Sequence, residues 1–211
     1  MGYLAHFFLF TTMENLLLNL GFSFTLSKAL CYLVFILLGL VVTVIFNKTV
    51  KKTSVGKVQK LVIGIVLFIL PFSSYFALNP IYEGDFSNNS YTVNSTTNFP
   101  RRKQLTIIAL SNCPHCIQSV ELTKILKKKN PAMKIEYWIL SNNPIHQLKY
   151  QKLLGKTAKA KLKQANANEL SILSKGSFPT FVLSENKKAN KAWNNDAFGV
   201  VAMDKVCKEF N

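Results

Sequence analysis

At 211 residues the chain has room for one or two folded units. It is strongly basic, with 26 Lys and Arg against 10 Asp and Glu and a net charge of +16, and its apolar residues concentrate before residue 80, which excludes an ordinary soluble core for the first part. The four cysteines, Cys31, Cys113, Cys116 and Cys207, contain a single close pair, which excludes a disulfide-stapled framework and points to chemistry at that pair.

The stretch from Met1 to Ser27 is apolar but broken by Thr11, Thr12, Glu14, Asn15 and Asn19, and reads as an interfacial lead-in; a further membrane pass over Tyr3–Phe24 is the alternative. A secretory signal fits poorly, because no basic stretch precedes the apolar run and no small-residue cleavage site follows it. Ala29–Phe46 is uncharged over the length a bilayer crossing needs, and Leu61–Leu78 is a second such run whose Pro71 a membrane helix tolerates. Residues 1–80 are therefore expected to form a membrane region with two transmembrane helices. Lys48, Lys51, Lys52, Lys57 and Lys60 crowd the intervening segment 47–60, whereas no Lys or Arg precedes Lys28. The positive-inside rule places that loop in the cytoplasm and everything after residue 80 outside. A third pass would move only the N-terminus.

Residues 81–102, with Ser87-Asn88-Asn89-Ser90 and Asn94-Ser95-Thr96, read as a polar linker. From residue 103 to 211 the pattern is that of a compact α/β unit. Leu105–Leu110 is near-continuously apolar, as in a strand covered on both faces. A helix is expected from near Ile117, carrying Val120, Leu122, Ile125 and Leu126 and ended by Lys127-Lys128-Lys129 and Pro131. Ile135, Tyr137 and Ile139 alternate as a second strand. Asn142-Asn143-Pro144 opens a helical insertion on which Lys149, Lys152, Lys156, Lys159 and Lys163 fall on one face. That stripe reads as a solvated helix face, with attraction to anionic lipid or an acidic partner as the alternative. A shorter helix capped by Asn168 ends near Gly176, Thr180–Ser184 and Ala189–Trp193 read as a hairpin, and a last helix after Gly199 lines Val200, Met203, Cys207 and Phe210 along one side. Cys207 on that apolar stripe, and Cys31 in the first membrane helix, are expected to be buried packing residues. Nucleic acid is not an expected partner, since no aromatic residues interleave with the basic ones.

Cys113-Pro114-His115-Cys116 sits between a strand and a helix. A helix N-terminus presents unpaired N–H groups and the positive end of its dipole, which favour thiolate over thiol at the first sulfur. Pro114 withholds an N–H the helix start leaves unpaired anyway, and His115 adds positive charge when protonated. Each pKa unit of thiolate stabilisation is worth about 1.4 kcal/mol, or roughly 30 mV in a two-electron couple, so stabilising the reduced form makes the disulfide an oxidant. Structural zinc is the chief rival, but no second pair of ligands lies at the usual spacing; no cofactor or metal is expected.

With Gly176-Ser177-Phe178-Pro179-Thr180 ahead of a later strand, this pattern resembles the thioredoxin-fold superfamily, specifically its membrane-anchored thiol–disulfide oxidoreductases. Cys-Pro-His-Cys is similar to the active-site sequence of DsbA-type oxidases. The resemblance implies a thioredoxin-like domain with a short helical insertion, Cys113 as exposed nucleophile, Cys116 as buried resolving thiol, Pro114 and His115 as tuning residues, and Phe178, a cis Pro179 and Thr180 framing an extended substrate strand. It also implies a protein thiol or disulfide substrate, a membrane redox partner, and a place in the bacterial inner membrane with the domain on the periplasmic side. Two departures stand out. The family's buried acid, six residues before the first cysteine, is here Ile107, and the Trp just before that cysteine is here Asn112.

Overall fold

The structure is a computed structural model and describes residues 13–50, 56–78, 83–93, 99–100, 102–163, 166–185 and 190–210. The chain divides into two compact units, Met1–Ile81 and Tyr82–Asn211.

In the first unit, residues 13–19 are helical and Gly21, at φ +94°, interrupts the helix before α1 (Phe24–Thr49) begins. Ser23 caps α1, its side chain accepting from the Leu26 N–H at 3.1 Å. The second helix is α2 (Lys57–Leu78), with Pro71 inside it. Both helices exceed the expected spans at each end where residues are described. They are long and apolar enough to cross a membrane, and side chains such as Leu33, Leu37, Val41, Leu61, Ile65 and Ile69 point outward, exposed. Small residues let the two backbones approach closely: a Cβ added at Gly39 would lie 2.5 Å from the Phe68 carbonyl oxygen. Cys31, Phe35 and Tyr75 form the buried seam, and the Tyr75 hydroxyl donates to Glu14 at 3.0 Å. Of the alternative pass over Tyr3–Phe24, residues 3–12 lie outside the described residues, as do Lys51 and Lys52 of the basic loop.

The second unit is a six-stranded sheet in the order β1-β6-β5-β2-β3-β4. Its strands are β1 (Tyr91–Val93), β2 (Gln104–Leu110), β3 (Ile135–Leu140), β4 (Lys159–Leu162), β5 (Thr180–Ser184) and β6 (Asn190–Trp193), and its helices are α3 (Pro114–Lys129), α4 (Pro144–Leu154), α5 (Ala167–Leu173) and α6 (Val200–Phe210). Strands β2, β3 and β4 run parallel, joined by α3 and α4 as successive βαβ units, while β5 and β6 return antiparallel on the other side of β2. Alternation along each strand sorts side chains to two cores. One face gathers Ile108, Trp138 and Val182 with Leu170 and Leu173 of α5. The opposite face carries Tyr137, whose hydroxyl meets Ser119 and Thr123 of α3 and whose ring lies 5.8 Å from that of Tyr150 on α4. This is an α/β thioredoxin-like sheet.

Away from the cysteine pair, the structure departs from the sequence expectations in three places. The stretch 81–102 is not simply a tether. Tyr91–Val93 pairs antiparallel with β6, Asn88 accepts from the Trp193 indole at 2.9 Å, and Gly84 meets Gly199 backbone to backbone, where a Cβ on either would collide with the other. Second, the lysine stripe does not ride on one helix. Gly155, at φ +56°, ends α4 after Leu154, and Lys159–Leu162 is the edge strand β4, its backbone sealed by Gln151 and Gln147 of α4, which bond the Ala160 N–H and carbonyl at 3.0 and 2.9 Å. Third, Asn166 rather than Asn168 stands at the start of α5. Residues 186–188 of the hairpin turn expected at 185–188, and Asn94-Ser95-Thr96 of the expected linker, lie outside the described residues.

A buried polar cluster marks the far end of the sheet from the cysteine pair. The Glu136 carboxylate accepts from the Trp138 indole at 2.8 Å and pairs with Lys161 of β4 at 2.9 Å. Burial pushes its carboxyl up, but the hydrogen bonds from Lys161, Trp138 and Gln104 outweigh burial and hold it below the ordinary range.

Candidate redox site

Strand β2 ends at Leu110, and three residues, Ser111 to Cys113, lead from it into α3. The helix starts at Pro114, earlier than the sequence pattern near Ile117 suggested, because proline suits the first helical position and Cys113 itself caps the end: its sulfur accepts the Cys116 N–H at 3.1 Å. Cys116 thereby lies within the first turn. The two cysteines form a disulfide with Cα atoms 5.2 Å apart. Cys113 is half-buried, whereas Cys116 is fully buried, so an incoming sulfur reaches Cys113. Pro114 and His115 are exposed at the helix mouth.

The loop after α5 brings the second half of the site. Lys175 and Gly176 take positive φ values, Phe178–Pro179 is cis, and the Phe178 carbonyl oxygen lies 3.8 Å from the Cys113 sulfur. Thr180 is fully buried and donates to the Ser177 carbonyl at 2.6 Å, so it pins the loop rather than facing a substrate. Of the residues the sequence singled out, Cys113, Cys116 and Phe178 converge, Pro114 and His115 border them, and Pro179 and Thr180 lie behind, buried.

Sequence reasoning missed the hydroxyl group set beneath the pair. Ser119 donates to the Cys116 carbonyl at 2.7 Å, Thr123 donates to the Ser119 carbonyl at 2.8 Å, and the Tyr137 hydroxyl sits 2.9 and 2.8 Å from their oxygens. Ser119 and Thr123, four apart on the buried side of α3, are the trace of it in sequence, since polar residues on a core stripe need partners. Ile107, where the resemblance puts a buried acid, is fully buried, and Ser119 is hydrogen-bonded to the Cys116 backbone. Tyr150 of α4 donates to the Leu110 carbonyl at 2.8 Å, tying that helix to the strand end that presents the cysteines. Cys207 is buried in α6, and burial pushes its thiol up to about 11, which keeps it a packing residue at neutral pH.

Such an arrangement suits thiol–disulfide exchange. A thiolate attacks the Cys113 sulfur, the intramolecular S–S bond breaks, and its electron pair leaves on Cys116. The helix N-terminus then stabilises whichever charge resides on Cys113 once the mixed disulfide is released.

No family model matches the chain, and no curated protein does. Among solved structures it is similar to a secreted Mycobacterium tuberculosis disulfide oxidoreductase homologous to E. coli DsbE, at 12% identity and a TM-score of 0.39, covering 52% of this chain and 81% of that one. It is also similar to a thioredoxin-like protein from Bacteroides caccae, at 11% identity and a TM-score of 0.36, covering 80% of this chain and 61% of that one. The thioredoxin-like class is read from this chain's own strand order and from the cis-proline loop beside the cysteine pair.

Proposed function

We propose that this chain is a membrane-anchored thiol–disulfide oxidoreductase of the bacterial cell envelope, with its C-terminal unit on the extracytoplasmic side and oxidation of protein thiols as its favoured direction. The observation that carries the reading is Cys113: half-buried, disulfide-bonded to a buried Cys116, capping a helix and taking the Cys116 N–H on its sulfur. A hydrogen bond and a dipole aimed at that sulfur stabilise its thiolate, and therefore the reduced protein. Supporting the anchoring are two helices of membrane-spanning length and the lysines Lys48, Lys57 and Lys60 at their shared end of the sequence.

In the forward reaction a substrate thiolate attacks Cys113 and expels Cys116. The second substrate thiolate attacks the substrate sulfur of the mixed disulfide, forming the product disulfide and releasing Cys113 as thiolate. Two electrons thus pass to the cysteine pair, and a membrane redox partner would remove them. A low thiolate pKa at Cys113 makes it the better leaving group in that last step.

The test is a single-turnover transfer with the full chain in detergent. The oxidised protein mixed with a reduced dithiol peptide should deliver one disulfide equivalent per chain, and its reduction potential should lie above a glutathione-like poise of roughly −200 mV. A potential well below that poise would reverse the direction and make the chain a reductase of an envelope client.

A further inference from the structure

We infer that the outward face of α4 docks onto anionic phospholipid headgroups of the membrane that holds the chain. The inference rests on the membrane anchoring proposed above, and it concerns a surface outside the cysteine pair.

Ile145 and Leu148 are each 67% exposed and Leu153 is 38% exposed, and Lys149 and Lys152 project between them on the same outward arc of the helix. The inner arc is already used: Tyr150 and Leu154 are buried, and Gln147 and Gln151 close the edge of β4. A helix face that mixes branched aliphatic side chains with lysines matches the headgroup and acyl boundary of a bilayer, where the aliphatics enter and the ammonium groups stay at phosphate level.

Charge complementarity selects the occupant. Between Glu136 and Glu169 the sequence holds no Asp or Glu, yet it holds six lysines. Two of them are engaged within the fold, Lys161 by Glu136 and Lys163 over the Trp138 ring, whereas Lys149, Lys152 and Lys156 stay exposed on α4 and the turn that follows it. The covalent leash favours the lipid surface as well. Four residues, 79–82, separate Leu78 of α2 from Glu83, and an extended chain reaches at most about 3.5 Å per residue. A short leash turns a weak contact into an intramolecular one at high effective concentration. Because Tyr150 ties α4 to the Leu110 carbonyl, docking would present the cysteine pair at the bilayer surface, where a membrane redox partner is reached by lateral diffusion.

The full chain is placed in nanodiscs of phosphatidylcholine alone or with phosphatidylglycerol, each containing a lipid with a photoactivatable group at the glycerol level, and adducts are mapped by mass spectrometry. The peptide spanning residues 144–154 should be labelled in the anionic discs and far less in the zwitterionic ones. The double variant Lys149→Gln/Lys152→Gln should lower that labelling by roughly fivefold per lysine, whereas Lys208→Gln on α6 should leave it unchanged. Equal labelling of 144–154 in the two discs, or an equal effect of Lys208→Gln, would overturn the docking while adducts on α1 and α2 keep the anchoring. Absence of adducts on α1 and α2 in both discs would overturn the anchoring and the docking with it.

Discussion

Cys113→Ser brings disulfide transfer to a reduced dithiol peptide down to the uncatalysed level, while Cys116→Ala, which cannot carry a disulfide of its own, accumulates a stable mixed disulfide with an oxidised peptide: its Cys113 thiolate attacks the peptide S–S bond and one peptide sulfur leaves as thiolate. The two outcomes differ because the two sulfurs are differently placed. Cys113 stands at the mouth of α3, where a substrate sulfur reaches it, and Cys116 is fully buried beneath it, where it serves the partner sulfur alone. With Cys116 gone, the covalent adduct on Cys113 loses its intramolecular resolving group and persists. Cys207 offers no substitute: it is buried, and a thiol pushed up to about 11 is ionised at pH 7 in only about one molecule in ten thousand. Non-reducing gels and intact-mass measurement of both variants check the pair. Loss of transfer by Cys113→Ser with the chain's role in cells left intact would make the second unit a binding module that keeps the fold without using the chemistry.

The second large effect concerns where the second unit begins. A fragment of residues 82–211 should unfold cooperatively in urea, and a fragment of residues 103–211 should be less stable by on the order of 4 kcal/mol. The shorter fragment loses β1 and with it the antiparallel partner of β6, the buried Val93, the Tyr91 hydroxyl bond to the Leu173 carbonyl at 3.1 Å, and the Asn88 acceptor of the Trp193 indole. Trp193 is fully buried, so its N–H would lose a partner at a site that water reaches poorly, and β6 would become an open edge. Equal urea midpoints and slopes for the two fragments would restore 81–102 to the role of a bare tether.

How much of this was legible in the sequence follows from the range of the interactions involved. The cysteine pair is a local signal: an apolar run, a proline and a periodic stretch lie within a few residues of one another, and they become β2, the α3 start and α3 itself. Phe178-Pro179 was readable for the same reason. β1 was not, because Tyr91-Thr92-Val93 is three residues in a polar setting and becomes a strand only by pairing with β6, about a hundred residues later. β4 was misread because Lys149, Lys152, Lys156, Lys159 and Lys163 keep a helical spacing across Gly155, whose positive φ ends the helix and returns the chain as a strand beside β3. The hydroxyl set under Cys116 joins Ser119 and Thr123 to Tyr137 of the next strand, a meeting that depends on how α3 lies on the sheet. The face of α4 shows the reverse case. Its composition was visible, but that Ile145 and Leu148 are exposed follows only once Tyr150, Leu154 and the two glutamines are seen to occupy the inner side.

Titration of the Cys113 thiolate in the reduced full chain, read as the pH dependence of its alkylation rate, bears most directly on the whole account. A midpoint well below the roughly 8.5 of a free cysteine, with Cys113 modified ahead of Cys207, is the expected result. A midpoint at or above that value would contradict it, since the helix end would then confer no thiolate character on the sulfur assigned to react.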